Sequence, residues 1–347
     1  MTEPVFWGAF GFICYIYFGY PLLLLLWRAI SYRPVMKSPV EPTVSLIITA
    51  YNERESIEDK ILNCRALDYP EDKLELIVSL DAPTDGTDRI VERYQDVRMV
   101  RSGVHRGKAA ALNNGVALAR GEIIVFADVR QTFDSRALRE LAANFHDVSV
   151  GAVTGELILL DEHGREAKDG MGLYWRYEKW LRRLESGVHS ILGTTGAIYA
   201  IRRELFRPLP RATVLDDMFI PLRIVMEGKR GVFDPAARAY DHVGTSRWEY
   251  GRKVRTLLGN YQLLWQMPQL IFPAHNPVFV QFISHKLGRL FIPYALLMLL
   301  VSNLFLLEGF YLVFFVCQVL WYLLACAGIL LQRKDPPGPN WLTEVRQ

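Results

Sequence analysis

Three long, strongly apolar stretches without a charged residue lie near the two ends of the chain, at residues 6–27, 290–307 and 309–331. Each is long enough to cross a bilayer as a helix. The first has neither a basic leading segment nor a small-residue cleavage site, so it predicts a membrane anchor rather than a cleaved signal. Only Glu308 separates the other two, which therefore predict a tight helical hairpin through the membrane.

Between these stretches, short apolar runs alternate with helical patterns. The run TVSLIITA at 43–50 is apolar at nearly every position and β-branched, as in a strand covered on both faces. We predict further strands at 74–80, 98–101 and 123–127, and helices at 53–65, 85–95 and 108–119. Strands alternating with helices of this length predict an α/β domain built from parallel βαβ units.

Beyond residue 150 the pattern is less regular. We predict a strand at 150–160, helices at 171–188 and 217–226, and a glycine-broken loop at 193–199 that enters a strand. Residues 247–266 mix Arg, Trp and Tyr with leucines, and prolines interrupt residues 267–286, so both segments predict amphipathic elements at the membrane interface. The predicted divisions are a transmembrane helix at 1–32, a linker at 33–42, a cytosolic α/β domain at 43–245, interface helices at 246–289, two transmembrane helices at 290–332 and a cytosolic tail at 333–347.

Cationic residues flank the three apolar stretches on one side only. Arg28, Arg33 and Lys37 follow the first, Lys286 and Arg289 precede the second, and Arg333 and Lys334 follow the third. Because Lys and Arg favour the cytoplasmic side, the pattern predicts a multi-pass protein of a bacterial-type inner (plasma) membrane, with its N-terminus outside and its middle segment in the cytosol.

Charge and cysteine content narrow the function classes. A net charge of +3 without dense basic clusters suits contact with membrane lipids or a phosphorylated substrate, and it argues against nucleic acid as a partner. The four cysteines have neither metal-ligand spacing nor a disulfide framework, so we interpret them as packing residues.

Polar side chains follow the predicted strands at the points where the strands end. Tyr51 and Glu53 follow the first strand, Asp81 follows the second, Lys108 opens a helix, and Asp128 ends the run IIVFAD. The carboxyl ends of parallel strands meet at one edge of a sheet, where such sheets bind ligands. We therefore predict a nucleotide site, with Asp128 holding Mg²⁺ or Mn²⁺ for the phosphates. Helix capping is the alternative interpretation of Asp128.

Two other nucleotide motifs are absent from the sequence. The stretch GVHRGKA at 103–109 is one residue too short for a Walker A loop and lacks the hydroxyl residue after Lys. No GxGxxG follows the first strand, which disfavours a dinucleotide-dependent oxidoreductase.

The second half of the chain offers a base and two arginines. Asp216 and Asp217 open a predicted helix, where one of them could take a proton from a hydroxyl; a cap followed by a first-turn acid is the alternative. Arg252 and Arg255 are three residues apart on one helix face, suited to a diphosphate leaving group or to lipid headgroups.

In their order along the chain, these motifs resemble those of membrane-integrated family 2 glycosyltransferases of the cellulose synthase and hyaluronan synthase type, over about residues 44–266. The resemblance implies a GT-A nucleotide-diphospho-sugar transferase fold, with a mostly parallel sheet and helices on both faces. It implies a nucleotide site at Tyr51, Glu53, Asp81, Lys108, Arg252 and Arg255, a metal at Asp128, an acceptor loop at Thr195 and Gly196, and Asp217 as the base beside Asp216. Trp175 and Gln131 are further candidates for acceptor contact.

Two positions depart from the family pattern. Arg130 stands where the family has a second metal-binding carboxylate, and Thr256 in RKVRT stands where it has a tryptophan at the acceptor end. The resemblance implies inverting transfer from a UDP-sugar to a glycan or lipid-linked acceptor in exopolysaccharide or cell-envelope synthesis. Single-sugar transfer to a membrane lipid, or an inactive nucleotide-binding scaffold, are the alternatives.

Overall fold

A computed structural model describes residues 2–161, 163–166, 172–242 and 246–332. The predicted tail at 333–347 lies outside the described residues, as does the predicted helix start at Met171. The chain divides into two compact units. One unit comprises Met1–Leu23, Gly244–Leu258 and Phe282–Gln347, and the other comprises Leu24–Val243 and Gly259–Gln281.

The larger unit is built on an eight-stranded sheet. Its strands are β1 (Val44–Ala50), β2 (Leu74–Leu80), β3 (Val97–Arg101), β4 (Ile123–Asp128), β5 (Thr132–Phe133), β6 (Val150–Leu160), β7 (Ile198–Arg202) and β8 (Arg230–His242), in the spatial order β3-β2-β1-β4-β7-β6-β8-β5. The first four strands pair in parallel, as predicted. Strand β7 runs antiparallel to both β4 and β6, so the sheet is mixed beyond β4.

Helices cover both faces of this sheet. The helices of this unit are α3 (Ile57–Arg65), α4 (Thr87–Val91), α5 (Lys108–Leu118), α6 (Ala137–Ala143), α7 (Gly172–Val188), α8 (Asp216–Met226) and α10 (Phe279–Gln281), while α9 (Ser246–Gln266) extends through both units. Ile57 and Ile61 of α3 join a buried apolar cluster with Leu46 and Ile48 of β1. On the opposite face, α5 approaches so closely that a Cβ on Gly115 would lie 2.7 Å from Ile47 Cγ2.

Two helices begin later than predicted because other hydrogen bonds replace their first turns. The backbone N–H of Glu53 donates to Thr87 Oγ1, and the Glu53 carbonyl accepts from Ser56 and Ile57, so α3 begins only at Ile57. Asp85 accepts from the N–H and hydroxyl of Thr87, and Gly86 has a φ of 92°, so α4 begins after that turn. The sequence-based assignment also missed the short strand β5 and did not place α6.

The segment at 33–42 contains no helix or strand and is hydrogen-bonded to the larger unit along its length. The buried Arg230 guanidinium donates to the carbonyls of Arg33 and Pro34, and Tyr69 Oη donates to the carbonyl of Pro42 at 2.6 Å. Lys37 Nζ lies 2.7 Å from Asp234 Oδ2. These contacts fix the path of the chain between its first apolar helix and β1.

The smaller unit contains most of the apolar helical residues, while those at 24–30 belong to the larger unit. The helices α1 (Thr2–Cys14) and α2 (Tyr20–Ile30) continue through a π-helical turn at Tyr15–Gly19, and α11 (Gly288–Asn303) and α12 (Gly309–Gln332) follow near the other end. Three helical segments are long and apolar enough to cross a membrane: Thr2–Ile30, Phe279–Asn303 and Gly309–Gly328. Phe6, Ala9 and Leu299 form a buried cluster between two of them.

Candidate active site

The register of the parallel strands brings the predicted strand-end residues to one edge of the sheet. Ala50 of β1 is paired with Leu80 of β2, and Thr49 of β1 is paired with Asp128 of β4. Tyr51 and Asp81 follow directly on β1 and β2. The buried apolar runs of these strands set the register, because a slip of one residue would turn each side chain to the other face.

Lys108 joins two of the predicted acidic residues. Gly107, with a φ of 84°, adopts a conformation that favours glycine and precedes α5, which Lys108 opens. Lys108 Nζ donates to Asp128 Oδ1 at 2.7 Å and lies 3.6 Å from Asp216 Oδ2. Burial lowers the pKa of Lys108, but the charges of Asp128 and Asp216 outweigh it and raise that pKa above its ordinary value. Lys108 therefore stays positively charged at the centre of the site.

Asp128 and Asp217 both lie close to Gly196. A Cβ placed on Gly196 would be 3.6 Å from Asp217 Oδ2 and 3.9 Å from Asp128 Oδ2. The loop is held there because the N–H and hydroxyl of Thr194 both donate to the backbone carbonyl of Asp217, at 2.8 and 2.9 Å. A side chain at position 196 would therefore begin in contact with both carboxylates, and glycine leaves that position open.

Tyr199 lies beneath these carboxylates and was not predicted from the sequence. Its ring stacks on Phe126 with centroids 4.7 Å apart. Burial raises the pKa of Tyr199, and the charges of Asp216, Asp217 and Asp128 raise it further, so the phenol stays protonated. Its strand-like context IYAI predicts core, and no sequence signal marks it as part of a site.

Tyr51 and Asp81 share a neighbour that sequence reasoning missed, His105. The rings of Tyr51 and His105 have centroids 4.1 Å apart and are tilted by 34°. His105 Nδ1 lies 2.9 Å from Asp81 Oδ2, and the backbone N–H groups of Arg106 and Gly107 donate to Oδ1 and Oδ2 of Asp81 at 2.9 and 2.6 Å. Asp81 is buried, so the loop before α5 is tied to the end of β2.

Glu53 faces the same edge as Asp128. Burial raises the pKa of Glu53; Arg130 opposes this shift, whereas Asp128 and Asp85 add to it. The position of Arg130, two residues after Asp128, thus brings a guanidinium close enough to influence a predicted nucleotide-binding carboxyl.

Gln131 lies in a buried network next to this site. Its Nε2 donates to Asp241 Oδ2 at 2.8 Å, and Arg130 lies 3.7 Å from the other oxygen of Asp241. Lys60, which is buried, donates to the Gln131 carbonyl at 2.7 Å and lies 3.9 Å from the centroid of Phe133. These contacts order the loop that follows Asp128.

The predicted acceptor residues Thr195 and Trp175 line one cleft between α7 and the sheet, with Glu178, Arg182 and Phe233. Arg182 donates to Thr195 Oγ1 at 2.6 Å. The buried indole N–H of Trp175 has no hydrogen-bond partner within the described part of the chain. Aromatic rings, carboxylates and N–H donors are groups that bind sugars, but the cleft in this structure has room for only about one water molecule.

Arg252 and Arg255 lie on α9 in the smaller unit, whereas the carboxylates above belong to the larger unit. Both arginine side chains are exposed, and Thr256 Oγ1 donates to the Arg252 carbonyl at 2.8 Å. Their contribution to the nucleotide site stays a prediction.

The residues around Asp128 fit a divalent metal shared with a substrate rather than a metal held by protein alone. Among the residues that the structure describes, no three His, Cys, Asp or Glu side chains are grouped to hold a metal ion. Asp216 Oδ2 is buried and accepts no hydrogen bond within the same residues. Mg²⁺ is commonly held by one or two carboxylates together with substrate phosphates and water. Asp128 can supply such a carboxylate.

Known proteins resemble this chain in sequence and in structure. Residues 45–209 match the model of Glycosyl transferase family 2. A poly-β-1,6-N-acetyl-D-glucosamine synthase of Staphylococcus aureus is 24% identical over 298 residues, covering 81% of this chain and 70% of that protein. A probable glycosyltransferase of Bacillus subtilis, YdaM, is 28% identical over 224 residues, covering 58% of this chain and 50% of that protein.

Among solved structures, a mannosyltransferase from Pyrobaculum calidifontis, in complex with GDP-Man and Mn²⁺, is similar with a TM-score of 0.69 and 25% identity. The similarity covers 96% of this chain and 100% of the mannosyltransferase. The predicted family and GT-A fold are therefore confirmed. The chain is a glycosyltransferase whose residues 45–209 form a family 2 domain.

Proposed function

We propose that this chain is an inverting, membrane-bound glycosyltransferase that moves a sugar from a UDP-sugar to a glycan or lipid-linked acceptor. The observation that carries this proposal is the convergence of Asp217 and Asp128 on Gly196. A base and a carboxylate for the donor phosphates thereby lie near one point, where an acceptor hydroxyl could meet the anomeric carbon.

In the proposed reaction, Asp217 takes the proton from the acceptor hydroxyl. The oxygen then forms a bond to the anomeric carbon on the side opposite the nucleotide, and the bond from that carbon to the diphosphate oxygen breaks. The electron pair leaves with the diphosphate, so an α-linked donor gives a β-glycoside. Lys108, which holds its charge between Asp128 and Asp216, is placed to stabilise the departing anion.

Mg²⁺ or Mn²⁺ held by Asp128 would supply further positive charge to the diphosphate. The Mn²⁺ in the similar mannosyltransferase supports this choice of cations. Arg252 and Arg255 are proposed to contact the same leaving group from α9. We propose that Asp216 does not contact the substrate. It acts instead on the general base, Asp217, through the positive charge of Lys108.

For the nucleotide, we propose stacking on Tyr51 and a hydrogen bond to Asp81, with Glu53 nearby. Because a carboxylate oxygen only accepts, Asp81 needs an N–H donor on the base, which the ring N–H of uracil or guanine supplies. For the acceptor, we propose the cleft at Trp175 and Thr195, with Gly196 at its reactive end. Gln131 is a weaker candidate here, because its amide already donates to Asp241.

The poly-β-1,6-N-acetyl-D-glucosamine synthase relative supports a role in exopolysaccharide or cell-envelope synthesis. Three apolar helices and the cationic flanks support a bacterial inner-membrane location with a cytosolic catalytic domain and an external N-terminus. One observation favours a second function, single-sugar transfer to a membrane lipid: Thr256 occupies the position of the family's acceptor-end tryptophan.

The test is release of UDP from a panel of UDP-sugars by purified full-length protein with Mn²⁺ or Mg²⁺. Asp217→Asn should lower kcat by about 100-fold or more, because general-base catalysis contributes on that order, while UDP binding persists. Asp134→Asn, which changes a loop carboxylate outside the proposed base position, is the control. Full turnover by Asp217→Asn would refute the base assignment. Product size separates the two functions, since a polymer ladder excludes single transfer.

A further inference from the structure

The loop before α5 places the imidazole ring of His105 against Tyr51, the residue proposed to stack on the nucleobase. The His105 ring lies 4.1 Å from the Tyr51 ring, centroid to centroid, and is tilted from it by 34°. The two rings are therefore in direct contact, slightly closer than the roughly 4.5–7 Å of typical aromatic pairs. A nucleobase that stacked on the same face of Tyr51 would need the space that His105 fills.

His105 also engages the group proposed to recognise the base. His105 Nδ1 is 3.4 Å from the Asp81 backbone carbonyl oxygen, to which it is hydrogen-bonded, and 2.9 Å from Asp81 Oδ2; because both oxygens only accept, Nδ1 is the donor. Oδ2 also accepts from the Gly107 N–H at 2.6 Å. The imidazole therefore lies against Oδ2, in the space through which a base N–H would have to approach this carboxylate.

We propose that His105 is a nucleobase mimic that occupies the base site of this glycosyltransferase when no donor is bound, and that it must leave before a uracil or guanine can stack on Tyr51 and bind Asp81. The inference rests on the proposed nucleotide site. The inference adds His105 as a residue that competes with the nucleotide-sugar donor and so influences the affinity of the protein for that donor.

Two features allow the histidine to leave. Its side chain is 51% exposed, so it can turn into solvent without opening the core, whereas the Asp81 side chain is only 3% exposed and stays in place. The backbone N–H groups of Arg106 and Gly107 hold the loop on Asp81 independently of the imidazole. Displacement of His105 therefore needs a side-chain rotation and leaves these loop hydrogen bonds intact.

The test is calorimetric binding of UDP and of GDP, each with Mn²⁺, to full-length protein in detergent. Removing the competitor with His105→Ala should tighten binding of the preferred nucleotide by roughly 3- to 10-fold, the equivalent of one net hydrogen bond or stacked pair. His105→Phe, which keeps a ring but no N–H, should tighten it less. Inorganic pyrophosphate, which has no base, should bind equally to all three proteins.

His146→Ala is the matched control, because it removes an exposed histidine from the same unit. If His105→Ala binds the nucleotide equally or more weakly, His105 does not compete, and weaker binding would indicate that it stacks on the bound base. If the unmodified protein binds neither UDP nor GDP, the proposed nucleotide site itself fails and the inference fails with it. Tighter nucleotide binding with unchanged pyrophosphate binding supports the mimic.

Discussion

At the scale of single residues, the site holds charges that folding alone would not favour. Glu53 is a half-buried carboxyl whose pKa is raised mainly by burial; Arg130 opposes this shift, and the nearby charges of Asp128 and Asp85 add to it. Such a group destabilises the folded state when it is ionised, because burial and like charges both favour its neutral form. We interpret the presence of this carboxyl as a requirement of nucleotide binding.

The first prediction concerns Glu53→Gln. The pKa of Glu53 is raised above its ordinary value of 4.5, so the folded protein binds this proton more tightly than the unfolded chain. Stability therefore falls as pH rises through the window above 4.5, up to the raised pKa. We expect Glu53→Gln to have an equal or higher Tm at pH 7, with a smaller advantage as the pH falls towards the ordinary value, and to bind donor more weakly.

Thermal unfolding across this pH range is the measurement, and Glu55→Gln is the control because Glu55 is exposed and two residues away. A lower Tm for Glu53→Gln at pH 7 would show that the carboxylate stabilises the fold, contrary to this prediction.

At the scale of elements, the site depends on how closely the strands that carry it are joined. The turn before β4 passes the start of β1 at Gly121, whose N–H donates to Ser45 Oγ at 2.8 Å. A Cβ on Gly121 would lie 2.6 Å from Ser45 N and 2.7 Å from Val44 C. These are backbone atoms of β1, which cannot move without disturbing the register that aligns Tyr51 with Asp128.

We accordingly expect Gly121→Ala to destabilise the larger unit by about 1–3 kcal/mol, as overpacking in a core usually does. Denaturant unfolding followed by tryptophan fluorescence measures this change. Gly103→Ala should be nearly neutral, because a Cβ there has no neighbour within 4 Å and the residue has no positive φ. Equal stability of the two variants would mean that β1 yields to the added methyl group.

Helix α9 allows a sharper comparison between neighbouring cations. Arg252 and Arg255 are three residues apart and share a face, while Lys253 points elsewhere by about 100° around the helix. If the arginines act on the leaving group, Arg252→Ala should lower kcat/KM by about 100-fold, as loss of a transition-state contact does. Lys253→Ala should have little effect. Equal losses in sugar-transfer assays would indicate membrane attachment rather than chemistry.

At the scale of the whole molecule, the orientation in the membrane is testable by cysteine labelling. In a variant whose four native cysteines are replaced by alanine, a single Glu308→Cys lies in the connection between α11 and α12, and Val148→Cys lies on an exposed turn of the larger unit. We expect an impermeant maleimide added to intact cells to label position 308 at once and position 148 only after lysis. The reverse pattern would invert the proposed topology.

The sequence by itself determined features that arise from local patterns. Uninterrupted apolar runs marked the membrane-spanning candidates. Buried strands that end at Asp128 or directly before Tyr51 and Asp81 marked the edge of the sheet, because parallel strands place their carboxyl ends together. The ordered motifs then identified the family. The predicted helix starts at Glu53 and Asp85 were wrong, because hydrogen bonds with Thr87 replaced the first turns. For Glu53, this partner lies in a different segment of the chain.

Only the tertiary structure decided which groups meet. Lys108 reaches Asp128 across 20 residues and Gln131 reaches Asp241 across 110, and neither pairing has a periodicity that a sequence could display. Likewise, no periodicity in the sequence predicts that β7 runs antiparallel to its neighbours or that the His105 ring contacts the Tyr51 ring. The physical reason is that a local pattern specifies an element and its buried face, whereas a contact depends on how distant elements pack together.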